Sequence, residues 1–179
     1  MSKFLEFKCD LDNFIENLNQ IIESNASKTR TLLELKTKTY ANFVKPMQMM
    51  EEDLGLFFTP LSHLNSVSNT EETQKIYAES LPIITEYSTK LSQNLEIYKT
   101  YKEIKENEES ALNYEQNRVL DLNVRNFELS GAHLNDKTKE RLQEINVRKS
   151  ELGNDFSQNL LNATNEYEYL IDDENDVEG

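Results

Sequence analysis

The fold is decided by the stretch LNSVSNTEETQKIYAESLPIITEYSTKLSQNLEIYKTY, residues 64–101. After the polar turn Ser66-Val67-Ser68-Asn69, apolar residues recur at Tyr77, Leu81, Ile84, Leu91, Leu95 and Tyr98. Steps of three, four and seven residues keep such a stripe on one face of a helix. Ile76, Ile83, Tyr87, Ile97 and Tyr101 run beside it and widen the buried face. Asn69 is placed to cap the first amides, and Glu72 stands three residues on, where a capping box puts its carboxylate. Continued to about Asn107, this helix would be roughly 55 Å long at 1.5 Å of rise per residue. A rod of that length needs other long helices beside it. The stretch therefore predicts an all-α antiparallel bundle of about five long helices.

The rest of the chain agrees. Four glycines and three prolines in 179 residues leave few breaks, which favours long helices over a turn-rich β fold. Only 37% of residues are hydrophobic, but they are periodic, and a disordered acidic chain has no reason to keep one face apolar. The formal net charge of −14 repels phosphate backbones and anionic lipid, so neither nucleic acid nor membrane is an expected partner. The single Cys9 cannot form an intrachain disulfide, and no apolar run is long enough to span a bilayer. A cytoplasmic protein is expected. Asn25-Ala26-Ser27 and Asn162-Ala163-Thr164 match the glycosylation acceptor pattern, and both read as chance matches.

Upstream, Asp10 or Asp12 is a candidate cap for a first helix carrying Leu11, Phe14, Ile15, Leu18 and Ile22, continuing to Leu32, Leu33 and Leu35. A second helical region, Tyr40 to Val67, carries Phe43, Val44, Met47, Met50, Leu54, Phe57, Phe58, Leu61 and Leu64. Pro46 and Pro60 each remove an amide donor, so a kink or short break is expected at each, with Thr59 a candidate cap for a restart. Pro82 predicts a bend near Ala78 in the third helix.

Downstream, Lys105 to Ser110 reads as an exposed loop. A fourth helix then carries Leu112, Val119, Leu120, Val124 and Phe127 and stops at Gly131, which suits a left-handed cap. Asn135 or Asp136 can cap a fifth, with Leu142, Ile145, Leu152, Phe156, Leu160, Ala163, Tyr167 and Leu170 at helical steps. Gly153 lies in that helix, and a close helix crossing there would account for it. Residues 1–171 are read as one helical domain, and 172–179 as an acidic surface segment or a cut linker.

Chemistry is sparse. His-Glu-x-x-His, which sets two imidazoles on one helix face, is absent; the two histidines are His63 and His133. Neither has a glutamate three residues before it, as a ferritin-like pair would need. Cys9 lacks an adjacent base and reads as a small apolar filler. His63 reads as a packed, hydrogen-bonded histidine, and the tyrosines of the long helix as core or core edge. The residues give no catalytic, cofactor-binding or metal-ligating candidate.

Several blocks nevertheless resemble a known family. Phe43-Val44-Lys45-Pro46-Met47, Phe58-Thr59-Pro60-Leu61-Ser62-His63-Leu64-Asn65-Ser66-Val67 and Leu81-Pro82-Ile83-Ile84-Thr85-Glu86-Tyr87-Ser88-Thr89 are similar to the N-terminal region of oligopeptidase A and thimet oligopeptidase. Phe127-Glu128-Leu129-Ser130-Gly131-Ala132-His133-Leu134 and the run from Ser150 to Thr164 continue the likeness in order. The resemblance implies the N-terminal lobe of a zinc metallopeptidase that cuts short peptides, with one zinc ion held by a catalytic region that this sequence lacks. It implies a wall of the substrate channel as the lobe's role, the catalytic domain of the same polypeptide and short peptides as its partners, and no activity or metal in this piece alone. Without the resemblance, a free-standing acidic helical interaction or scaffold module is the alternative.

Overall fold

The computed structural model describes residues 9–171, and among them it contains helices and no strand. The order is α1 (Phe14–Leu33), a one-turn π-helical segment (Tyr40–Val44) leading straight into α2 (Lys45–Val67), α3 (Glu71–Ser92), α4 (Leu95–Glu108), α5 (Tyr114–Leu129) and α6 (Asp136–Glu166). The all-α bundle is as expected, with six helices instead of about five.

The extra helix comes from the stretch that decides the fold. The expected rod ending near Asn107 is two helices, divided at Gln93-Asn94. The Asn94 side-chain oxygen accepts from the Glu96 and Ile97 amides at 2.9 and 3.0 Å, so a new helix starts there with its first donors satisfied. The apolar stripe does not stay in register across the break: Leu95 is exposed, whereas Ile97, Tyr101 and Ile104 are buried. The start of α3 is also one residue later than expected. Thr70, with extended backbone, caps it, and its hydroxyl accepts from the Thr73 amide at 3.2 Å. Asn69 instead donates to the Asn65 carbonyl at the end of α2.

Other boundaries shift for similarly local reasons. Asn13, not Asp10 or Asp12, precedes α1, and Asp10 accepts from the Asn13 amide and carboxamide. Pro46 sits in the first turn of α2, directly after the π-helical segment that leads into it. Helices α2 and α3 run unbroken through Pro60 and Pro82. Thr59 caps nothing; its hydroxyl donates back to the Gly55 carbonyl at 2.7 Å. Lys105 to Glu108 belong to α4 and are not loop, and Lys105 pairs with Asp121 of α5. Leu112 precedes α5, which Asn113 caps.

Two expected caps are as read. Asn135 accepts from the Thr138 amide at the start of α6. Gly131 has φ +80° after α5, with Ala132 N donating to Phe127 O (3.0 Å) and Gly131 N to Glu128 O (3.1 Å). These two bonds form a Schellman motif.

The main core joins Phe43, Val44, Met47 and Met50 to Ile97, Tyr101 and Ile104 of α4 and Leu120 and Phe127 of α5. At the other end, Phe14 stacks on Phe57 with ring centroids 4.6 Å apart. The third helix lies against α1, α2 and α6. Its fully buried side chains are the small hydroxyls of Thr73, Ser80 and Thr89, so it is a hub for packing without being the apolar centre.

The last helix departs most from expectation. None of its side chains is fully buried, although it is 31 residues long. It runs antiparallel to α3 along a polar seam: Asn69 to Gln158, Thr85 to Ser150 and Asn146 to Thr89. Its expected core stripe faces away, leaving Ile145, Leu152, Phe156 and Leu160 exposed, Phe156 by 71%. A Cβ on Gly153 would meet nothing within 4 Å, so no close crossing accounts for that glycine. Residues 172–179 lie outside the described residues.

Candidate functional site

Two features of the bundle can meet another molecule. The first is a half-open cavity of about 530 Å³ between α2, α3, α4 and α5. From α2 it takes Met47, Glu51, Leu54 and Phe58, residues three and four apart on one face. From α3 it takes Ile84, Tyr87 and Leu91, from α4 Tyr101, and from α5 Asn123, Asn126 and Phe127. The lining is mainly apolar and aromatic, with a few polar groups, which is the usual character of a small-molecule site.

Charge within the cavity is concentrated on Glu51. Desolvation by the surrounding protein raises its carboxyl above the ordinary value, although the residue stays accessible to solvent. The Tyr101 phenol is raised by burial first, then by the nearby Glu51 and Tyr40. Burial also raises Tyr87; Asn25 hydrogen-bonds it and opposes the rise, and Glu51 adds to it. Asn25 is buried and donates to the Met50 carbonyl at 3.4 Å. Tyr87 also lines a second cavity, of about 600 Å³, between α1 and α3.

Sequence reading missed Glu51. Its signal was there: a carboxylate four residues after Met47, three before Leu54 and seven before Phe58, inside the apolar stripe of α2.

The second feature is the exposed stripe of α6, Ile145-Leu152-Phe156-Leu160, continued by Tyr167, Tyr169 and Leu170 beyond the helix. The residues singled out in the sequence do not converge on either feature. His63 lies on the exposed face of α2, and His133 in the turn after α5. Cys9 is half-buried ahead of α1, and burial, then the neighbouring Asp10, raises its thiol. Among the described residues no group of three or more histidine, cysteine, aspartate or glutamate side chains is placed to hold a metal ion. These residues do not fit a zinc site. No described helix is long and apolar enough to cross a membrane.

Comparison with known proteins gives this architecture a family. The family model of the neurolysin/thimet oligopeptidase N-terminal domain matches residues 13–139. The chain belongs to that family. Oligopeptidase A of Escherichia coli (strain K12) is 39% identical over 142 residues, covering 79% of this chain and 21% of the relative. Oligopeptidase A of Haemophilus influenzae is 34% identical over 169 residues, covering 92% and 25%. A probable cytosolic oligopeptidase A of Arabidopsis thaliana is 26% identical over 166 residues, covering 92% and 23%. The chain thus spans about a fifth to a quarter of the length of these oligopeptidase relatives. It corresponds to the N-terminal domain of an oligopeptidase A/thimet oligopeptidase family peptidase, which fits the ordered blocks quoted from the sequence. Helices α1 to α5 lie wholly within the matched residues, while most of α6 runs beyond them.

Proposed function

We propose that this chain is the non-catalytic helical lobe of a zinc-dependent oligopeptidase that hydrolyses short peptides in the cytoplasm. In this reading residues 1–171 act as one helical unit. The unit forms part of a wall around the substrate channel and restricts entry to short, extended chains. The metal that activates water is held elsewhere in the polypeptide. This chain's residues supply steric exclusion and contacts to the passing peptide. Its partners are the catalytic domain of the same polypeptide and the peptides themselves.

The reading rests on the family match over residues 13–139 in a chain that spans about a fifth of the Escherichia coli relative. The α6 stripe supports it. An exposed apolar strip along one helix suits a face covered by another domain, and inter-domain faces commonly bury about 600 Å² or more.

The test is elemental analysis of the purified chain together with a fluorogenic oligopeptide assay. The expected result is neither stoichiometric zinc nor peptide turnover. One zinc per chain accompanied by turnover would contradict the proposal.

A further inference from the structure

Glu51 breaks the pattern of the helix that carries it. Its neighbours on that face, Met47, Leu54 and Phe58, line the cavity with it, and Tyr87 and Tyr101 stand on the other walls. No lysine, arginine or histidine among the described residues lines the cavity, and none pairs with Glu51. The Glu51 carboxylate borders an apolar and aromatic lining with no counter-charge beside it, and a cation entering the cavity meets that charge in surroundings of lower dielectric than open water. Aromatic faces attract the same cation. One carboxylate alone is too few oxygen ligands for a divalent metal, whereas an ammonium group needs only one counter-ion.

We propose that this cavity binds a small organic cation, an ammonium group on an apolar body, with the Glu51 carboxylate as its counter-ion and the aromatic lining around the body. The inference rests on the cavity alone and stands whether or not the chain serves peptide hydrolysis. Peptides offer such a group in two places, the amino end and the lysine side chain. The chain's formal charge of −14 favours any cation weakly, so the test must separate the site from the general field.

The probe is 2-phenylethylammonium, titrated into the 179-residue chain and followed by the amide shift of Ser88, which lines the cavity. Its uncharged counterpart, 2-phenylethanol, is the control. The cation is expected to bind about tenfold more tightly than the alcohol. Glu51→Gln is expected to bring the cation down to the alcohol's affinity and leave the alcohol unchanged. Asp53→Asn removes the same charge from the same helix but lies outside this cavity, and is expected to leave the preference intact. Gly55→Leu places a side chain in the cavity and is expected to abolish binding of both probes, which keeps the test open should Glu51→Gln fold poorly.

Equal affinity for both probes would overturn the proposal, as would a cation preference that survives Glu51→Gln or is lost equally in Asp53→Asn. Undiminished binding in Gly55→Leu would overturn the location. Among peptide-derived cations, tighter binding of Phe-leucinamide than of Nα-acetyl-lysine methylamide assigns the site to a peptide amino end, and the reverse order assigns it to a lysine side chain.

Discussion

The Glu108 carboxylate accepts a hydrogen bond from the Tyr40 backbone amide at 2.8 Å, joining residues 68 apart in sequence. The bond ties the last turn of α4 to the first turn of the π-helical segment, where a free amide and the helix dipole both favour a negative charge. Hydrogen bonds to charged groups contribute about 1.5–3 kcal/mol, so Glu108→Ala should destabilise the chain by roughly 2 kcal/mol. A lower urea midpoint with an unchanged denaturant slope would confirm it. An unchanged midpoint would show that water serves the amide equally well.

Asn94 supports the break between α3 and α4 by accepting from two amides. Replacing such a cap by alanine costs about 1 kcal/mol. Asn94→Ala should therefore lower stability by that amount, whereas Asn94→Asp should nearly preserve it. Thermal unfolding of the two variants distinguishes them, and equal losses would count against a capping role.

These two residues mark where sequence reading stopped. Helical periodicity, scarce glycine and proline, the Gly131 stop and the Asn135 cap were all legible, because each is a local preference written in a few neighbouring residues. The break at Asn94 was not. The heptad-like stripe from Leu91 to Leu95 and Tyr98 runs across it, and a capping asparagine looks the same as a surface asparagine until the backbone is seen. The exposure of Phe156 and Leu160 was hidden for a different reason. Periodicity reports that a face is apolar and says nothing of what covers it. Glu51 was legible as a carboxylate on the same face of α2 as Met47, Leu54 and Phe58, but periodicity does not say that this face borders a cavity.

The raised carboxyl pKa of Glu51 has a signed consequence for stability. A folded-state pKa above the unfolded value means that folding favours the protonated form. The associated stability is present below the unfolded value, near 4.3, and is lost as pH rises through the folded one. At pH 7 the ionised Glu51 is therefore a burden on the fold, and Glu51→Gln should raise the melting temperature. The gain should fade as pH falls below about 4, where the Glu51 carboxyl becomes protonated in the folded and unfolded chain alike. A gain that is independent of pH would remove desolvation as its cause.

The exposed stripe of α6 can be altered with little effect on this chain by itself. Phe156 and Leu160 are 71% and 60% accessible, so Phe156→Glu with Leu160→Glu should change stability by no more than about 0.5 kcal/mol per site. The unaltered chain should self-associate weakly through that stripe at high concentration, and the double variant should not. Sedimentation velocity reads both. A wild-type chain that stays strictly monomeric at high concentration would count against a sticky docking face.

The most direct test of the account joins this chain to the remainder of Escherichia coli oligopeptidase A, in place of that enzyme's matching N-terminal stretch. Cleavage by the purified chimera is then compared on a short quenched-fluorescent peptide and on β-casein, a long chain without a stable fold. The account predicts turnover of the peptide with casein left largely intact, because a lobe that walls a channel admits short chains and excludes long ones. A chimera that digests casein as readily as the peptide would contradict it.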